Sequence, residues 1–401
     1  MKGPLEGYRV VDLTTVLFGP YATQIMGDMG ADIVKVEPPI GESNRQVGPA
    51  KTPGMSAQFM VLNRNKRSIM LDLAKPEGLA ALKRLVESAD VFVHNMRPRA
   101  VRKLGIDYDA IAAVKPDIVY CSTIGYGSKG PYKDRPAYDD LVQGASGIAA
   151  LQARHLGGDP RYVGTVVADK TGGLTALYAI LMGLLHRERT GEGQNIEVPM
   201  FESLVSYALM EHLYGRCFEP AIGGMGYDRV LSRNRKPYRT KDGHVCALPY
   251  TDKHWRAFFG LAGRPDLADD PRFSTMSKRT ENIEELYAMV DQVMQNRTTE
   301  EWLAALEEAD IPFAPVNDLP DLLEDPHLKA VDFFPMISHP TEGELRMIGI
   351  PIQMSKTPGA IRTPPAHLGE HSVEVLAEAG FGADEIDALI AAGVTRDGRP
   401  D

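Results

Sequence analysis

RYVGTVVADKTGGLTALYAILMGLLHRERTGEGQNIEVPM, Arg161 to Met200, reads as strand, helix, strand. Val163 to Val167 is short and β-branched, the signature of a strand, and Thr171 to His186 is apolar on nearly every face, as in a helix covered on all sides. Arg187-Glu-Arg-Thr-Gly191 ends that helix with basic residues in the last turn and a glycine beyond it. Asn195 to Val198 reads as the next strand. The junction holding Asp169 and Lys170 is thus expected in a buried interior, where a carboxylate is costly unless it has a use. The ordinary use is capping, with the side chain accepting the first free N–H groups of the helix. The alternative is chemical: the same N–H groups and the helix dipole keep a nucleophilic carboxylate ionised in a partly dry site. Position alone does not choose between them.

The chain begins as a βαβ unit. Tyr8 to Leu13 is a strand, Tyr21 to Met29 a helix begun by Pro20 and closed by Gly30, and Asp32 to Val36 a second strand. The alternation continues through Ser68 to Asp72, Pro76 to Glu87, Val91 to His94, a helical stretch near Tyr108 to Val114, and Asp117 to Ser122. Such alternation predicts an α/β fold with a mostly parallel sheet covered by helices. Ligands then collect beyond the carboxyl ends of the strands, in loops starting near Thr14, Glu37, Asn95, Ile124 and Asp169.

The pattern changes after Met200. Phe201 to Tyr214 looks helical, a glycine-rich basic stretch follows, and Tyr238 to Val245 reads as a hairpin turning at Asp242-Gly243. Helices are expected at His254 to Leu261, Ile283 to Met294 and Thr299 to Glu308, the last with a capping box begun by Thr299. A proline-punctuated stretch, Pro312 to Pro365, leads back towards a sheet, and short helices at Val373 to Ala379 and Ala383 to Ala392 finish the chain. The expected division is a large domain over 1–200, a helical linker over 201–225, a small α+β domain over 226–330, and a return to the large domain over 331–401.

Composition bounds the function. The 401 residues suffice for about two or three cores. With 43% hydrophobic and 24% charged residues, the chain is of ordinary globular type. A net charge of −10 argues against nucleic acid as the main partner, while local basic clusters remain able to hold a small anion. Cys121, Cys217 and Cys246 are too few and scattered for a disulfide framework, which suits a reducing cytoplasm. The first residues, MKGPLEGYRVVDLTT, have no signal-peptide core, and Gly172 to Leu185 is too short to be a good membrane span.

Several motifs invite chemistry. Gly125-Tyr-Gly127-Ser-Lys-Gly130 matches the dinucleotide pattern but is followed by Pro131 and a polar run instead of a helix, so no NAD site is expected; a loop whose N–H groups approach a ligand is the favoured use. Gln143-Gly-Ala-Ser-Gly147 lacks nucleophile-elbow spacing and reads as a helix-end turn. The ten histidines form no recognisable ligand set, and no metal is expected. Arg64, Lys66 and Arg67 precede one strand, while Arg97, Arg99, Arg102 and Lys103 follow Asn95. Most such residues are solvated surface. A diphosphate ligand would account for two clusters flanking one sheet edge.

Taken together, Leu5-Glu-Gly-Tyr-Arg-Val-Val-Asp-Leu13, Gly27 to Glu37, Asn65-Lys-Arg-Ser68, Asn95-Met-Arg-Pro98, Gly125-Tyr-Gly127, Ala168-Asp169 and Arg189 to Gln194 resemble the class III CoA-transferases, the formyl-CoA transferase and carnitine CoA-transferase family. Pro237 to Gly243 and Pro365 to His371 are similar to later family motifs, so the resemblance covers essentially the whole chain. It implies a Rossmann-like large domain, an inserted smaller domain and an interlocked homodimer, with coenzyme A arriving as acyl-CoA. It makes Asp169 the catalytic aspartate and places Val16, Leu71, Asn95, Met96, Arg97, Lys103 and Tyr138 at the CoA. Leu17, Asp139, Gly223 and Gly224 fall at the acyl pocket, with N–H groups of the Gly223 to Gly226 stretch as donors to an oxyanion.

The activity implied is transfer of CoA from an acyl-CoA to a carboxylic acid through an aspartyl anhydride and an aspartyl-CoA thioester. The fold's α-methylacyl-CoA racemases are the rival; they use a histidine where Tyr138 stands, and tyrosine, with an ordinary pKa of about 10, is a poor base near neutrality. Leu17 replaces the glutamine of formyl-CoA transferases, and Gly223-Gly-Met-Gly226 differs from their glycine loop, so a donor and acceptor larger than formyl-CoA and oxalate are expected. Succinyl-CoA with a dicarboxylate or aromatic acid is one such pair.

Overall fold

The computed structural model describes residues 2–400. Six strands form one sheet: β1 Arg9–Leu13, β2 Asp32–Glu37, β3 Lys66–Met70, β4 Val91–His94, β5 Val119–Ile124 and β6 Gln194–Pro199. All neighbours are parallel, in the order β3-β2-β1-β4-β5-β6. Sequences such as RVVDL and DIVKVE are largely buried, as expected of strands covered on both faces. The order reverses between β1 and β4, and there the carboxyl ends of the strands open a crevice.

The helices through residue 212 are α1 Phe18–Asp28, α2 Ala57–Leu62, α3 Pro76–Val86, α4 Pro98–Leu104, α5 Tyr108–Ala112, α6 Asp139–Ala145, α7 Ile148–Leu156, α8 Val167–Thr190 and α9 Met200–His212. The chain divides into two compact units. One takes the chain through Ser146, then Val163–Tyr207, then everything from Lys329 onward; the other is Gly147–Tyr162 with Ala208–Leu328.

In the first unit, one side of the sheet packs Val11, Ile69 and Phe92 against Leu82 of α3 and Leu376 of the helix Ser372–Glu378. The C-terminal segment is tied to the β3 edge: the His371 N–H donates to Ser68 O, and the Thr395 hydroxyl to Met70 O. A hairpin, Met336–His339 with Gly343–Arg346, belongs to the same unit.

The expected strand over Val163 to Val167 does not form. β6 occupies the place beside β5. The segment is instead a tightly turned connection, with Thr165 N–H bonded to Val163 O and Val167 N–H to Thr165 O, whose backbone is held by the Gln143 amide, which accepts from Val163 N–H and donates to Thr165 O. Helix α8 starts at Val167, four residues before the expected Thr171, and ends at Gly191, which takes a left-handed conformation at φ 77°. α8 lies close on α1 because Gly172 and Gly173 carry no side chain there. A Cβ on Gly173 would fall 2.8 Å from the backbone oxygen of Phe18.

The second unit has its own three-stranded antiparallel sheet, β7 Tyr238–Arg239, β8 His244–Ala247 and β9 Phe313–Pro315. Its core stacks Trp255, Phe258, Phe259, Tyr287 and Trp302. The helix Thr299–Glu308 is capped by Thr298 with Glu301, one residue earlier than the box expected at Thr299. Among the described residues no helix is long and apolar enough to cross a membrane.

Gly173→Ala is expected to destabilise the protein by about 1–3 kcal/mol, because a backbone oxygen cannot yield to the new methyl group. Gly144→Ala in α6, where a Cβ meets nothing within 4 Å, is expected to gain up to about 1 kcal/mol. Thermal melts of the two variants therefore shift in opposite directions.

Candidate active site

The loops leaving β1, β4 and β5 meet the amino ends of α6 and α8 around a cavity of about 360 Å³, lined among others by Val16, Asn95, Arg97, Gly125, Tyr138 and Asp169. This is the crevice at the point where the strand order reverses. Met96 and Asp139 also line it.

The floor of the cavity is set by hydrogen bonds from strand ends. The Asn95 amide is bidentate to the loop after β1, accepting from Thr15 N–H at 3.1 Å and donating to Thr15 O at 2.8 Å. Its polar atoms are thus committed to the protein. His94, at the end of β4, accepts the Met96 N–H on Nδ1 at 3.2 Å and meets the Tyr120 hydroxyl through Nε2 at 2.8 Å. The Tyr120 hydroxyl donates to Ile106 O, which assigns the Nε2 proton to His94. Burial pushes the His94 pKa down to about 4, so the ring stays neutral and the turn Asn95 to Arg97 is held at any ordinary pH.

Two carboxylates sit at the amino end of α8, and they divide its functions. Asp139 Oδ1 accepts the N–H groups of Ala168 at 2.7 Å and Asp169 at 3.1 Å. Asp139 Oδ2 accepts from Gln143 Nε2 at 2.6 Å. Capping therefore belongs to Asp139, from thirty residues earlier. Asp169 lies in the first turn of α8, and the residue at the cap position is Val166. No donor among the described residues binds the Asp169 carboxylate. Burial, with the charge of Asp139 adding to it, pushes the Asp169 pKa up to about 7. A carboxylate in this state is poorly solvated and unpartnered, which marks a candidate functional group.

Other expected residues lie elsewhere. Leu17 faces a separate, mostly apolar cavity of about 680 Å³ with Tyr21, Ile25, Leu174 and Ile348. Leu71 is fully buried in the core beneath the sheet and does not reach the cavity. Lys103 is exposed on α4 and is not part of the cavity wall. Gly223 and Gly224 belong to the second unit, where the backbone closes on Gly215 through the Gly215 N–H bond to Gly224 O.

The two basic clusters do not flank one edge. In a parallel sheet the residues at the start of β3 and those after β4 lie at opposite ends, and the first cluster is spent on ion pairs: Arg64 with Asp28 at 2.7 Å, Lys66 with Asp12 at 3.3 Å and Arg67 with Asp32 at 2.7 Å. The loop Gly125 to Gly130 also departs from expectation, since the Gly127 and Ser128 N–H groups are already taken by Glu202 and Glu197. Lys133 and Arg135, which the sequence reading passed over, line the cavity with Thr15, Phe18 and Ser43. Gln143, expected only in a helix-end turn, lies in α6 and pairs with Asp139; its spacing of four from Asp139 on a helix is a readable sign of that pairing.

Among the described residues one trio has metal-binding side chains together, His339, Glu342 and His367, with donor atoms within 4.8 Å of one another. The Thr341 hydroxyl bonds to both Glu342 Oε1 and His367 Nε2, and His339 spends Nε2 on Pro365 O and Nδ1 on the Thr341 and Glu342 N–H groups. The trio is a hydrogen-bonded turn.

The chain matches the model of CoA-transferase family III over residues 5–372. Succinyl-CoA:glutarate CoA-transferase of Mus musculus is 32% identical over 396 residues, spanning 98% of this chain and 90% of that one. Succinate–glutarate CoA-transferase of Agrobacterium fabrum is 34% identical over 388 residues, spanning 94% and 96%. The crystal structure of a CAIB/BAIF family protein from Brucella suis aligns with a TM-score of 0.78 at 31% identity, covering 94% of this chain and 100% of that one. A carboxylate at the strand-order reversal, in a chain similar to these enzymes along almost its whole length, leads to one assignment: the protein belongs to CoA-transferase family III and moves CoA from an acyl-CoA donor to a carboxylic acid acceptor.

Proposed function

We propose that Asp169 is the covalent carrier of the transfer. The carrying observation is its carboxylate, aimed at the cavity without a donor while Asp139 occupies the helix end. Ionised Asp169 attacks the donor thioester carbonyl, the C–S bond breaks, and a mixed anhydride forms with release of CoA thiolate. The thiolate attacks the aspartyl carbonyl of the anhydride, expelling the donor acid and leaving an aspartyl-CoA thioester. The acceptor carboxylate repeats the two steps in reverse, regenerating Asp169. No proton moves, so the chemistry requires neither a neighbouring histidine nor a metal or nicotinamide.

Val16, Asn95, Met96, Arg97 and Tyr138 form the proposed wall along the CoA arm, with exposed Lys103 towards its outer phosphates. Asp139 keeps α8 in place at the acyl group. The names of the relatives support succinyl-CoA as donor and a dicarboxylic acid such as glutarate as acceptor. Lys133 and Arg135 offer the charge for a second carboxylate.

The enzyme is further proposed to be a cytoplasmic, interlocked homodimer, with the second unit as a small domain inserted into the large one. Three free cysteines suit the reducing compartment. The apolar stripe Leu174, Tyr178, Met182 and Leu185 on α8 is 46–63% exposed and supports a second copy as its cover.

Asp169→Ala is expected to lower transfer on the order of 10⁴-fold while leaving CoA binding intact. Assays of CoA exchange from succinyl-CoA to a panel of acids measure the loss, and mass spectrometry of wild type caught mid-turnover should find CoA on the peptide containing Asp169. Full turnover by the alanine variant rules the carrier role out. Because the ionised form is the nucleophile and its pKa is raised to about 7, kcat/KM should rise with pH up to about 7 and level off above it. A profile flat from pH 5 to 8 contradicts this. Met182→Glu sets a charge against the proposed cover and is expected to lower the thermal melting temperature of the dimer, since interlocked chains cannot part without unfolding; an unchanged melt removes α8 from the interface.

A further inference from the structure

The three residues after β1, Thr14, Thr15 and Val16, have every backbone polar group bound by a side chain. Thr14 N–H donates to Asp12 Oδ1 at 2.8 Å, and Thr14 O accepts from Lys35 Nζ at 2.9 Å. Thr15 is held at both ends by Asn95. Val16 N–H donates to Glu42 Oε2 at 2.8 Å, and Val16 O accepts from Asn44 Nδ2. Glu42 and Lys35 are both buried, with Lys35 Nζ 3.1 Å from Glu42 Oε1, an ion pair off the hydrogen-bonding direction.

Val16 sits at φ +68°, in the left-handed region that a β-branched side chain strongly disfavours. Such a conformation persists only where its surroundings over-determine it, and here they do. The kink has a visible effect. Val16 and Phe18 face the cavity that contains Asp169, whereas Leu17 between them faces the apolar cavity on the other side. Phe18 in turn lies on the first turns of α8, its ring 2.6 Å from where a Cβ on Gly172 would be.

We infer that Glu42 is a positioning residue for CoA transfer, its carboxylate, anchored by buried Lys35, clamping Val16 in the left-handed turn that sorts Val16 and Phe18 into the Asp169 cavity and Leu17 out of it. The inference rests on the reading of that cavity as the transfer site. Both partners of Glu42, the Val16 N–H and the Lys35 ammonium, are donors, so only a carboxylate satisfies both. A glutamine must turn its NH₂ group towards one of them.

Glu42→Gln is therefore expected to weaken binding of CoA itself, measured by calorimetry, and to lower kcat/KM on the order of tenfold, at temperatures where thermal melts show the variant folded. Glycine adopts φ +68° freely, so combining Val16→Gly with Glu42→Gln, where the Val16→Gly single variant sets the baseline for the lost wall contact, should recover a large part of both losses. A residue that mattered only for stability would leave CoA affinity and kcat/KM of the folded protein unchanged. Asn44→Ala removes the other half of the clamp without touching a buried charge, and it should show the same losses and the same recovery. It carries the test if the Glu42 variants do not fold. Unchanged CoA affinity and kcat/KM in the folded variants, or no recovery with Val16→Gly, overturns the clamp. If wild type binds CoA but never exchanges it, the transferase mechanism fails while CoA affinity still reports on the clamp.

Discussion

The amino end of one helix has free N–H groups for one carboxylate, and two carboxylates lie beside it. Asp139 takes the N–H groups of Ala168 and Asp169 and is braced by Gln143. Asp169 gains neither hydrogen bond and feels its neighbour's charge across a partly dry cavity. One group is fully hydrogen-bonded, and the other is made reluctant to ionise. Chemistry that attacks a carbonyl without moving a proton is served by such an anion, poorly solvated yet available near neutrality.

The second constraint is the buried charge beneath the site. Asp12, Lys35, Glu42 and Lys66 are all nearly inaccessible to water, together with the Glu37 and Arg45 pair. Burying ions costs several kcal/mol each before pairing, and apolar residues of similar volume would serve stability as well or better. What apolar residues cannot do is bind backbone. Here Lys35 reaches Thr14 O, Asp12 the Thr14 N–H, and Glu42 the Val16 N–H, so the charges define the path of the loop that walls the cavity.

Much of the fold was legible because the apolar pattern of a parallel sheet is strong. Val91–His94, Ile283–Met294 and Thr299–Glu308 match their expected bounds, and β1, β2 and β6 fall within a residue or so of theirs. Val163 to Val167 misled because β propensity says nothing about whether a sheet has room, and β6 had taken the place. Asp169 could be singled out but not distinguished from a cap, because the real cap comes from Asp139, far away in sequence. Lys66 looked like surface because sequence does not reveal that Asp12 faces it across the intervening strand β2. Leu71 was assigned to the ligand through resemblance, yet the sheet turns it into the core.

Asp169 rides on a helix 24 residues long, pinned to α1 by two glycines that leave no slack. As the proposed nucleophile, it has only its own two side-chain bonds with which to move. Every carbonyl it visits must be delivered to it by travel of the incoming molecules. Discrimination among acids consequently resides in the contours that guide those molecules, and exchanging wall residues is the route by which this scaffold acquires new customers without disturbing its reactive oxygens.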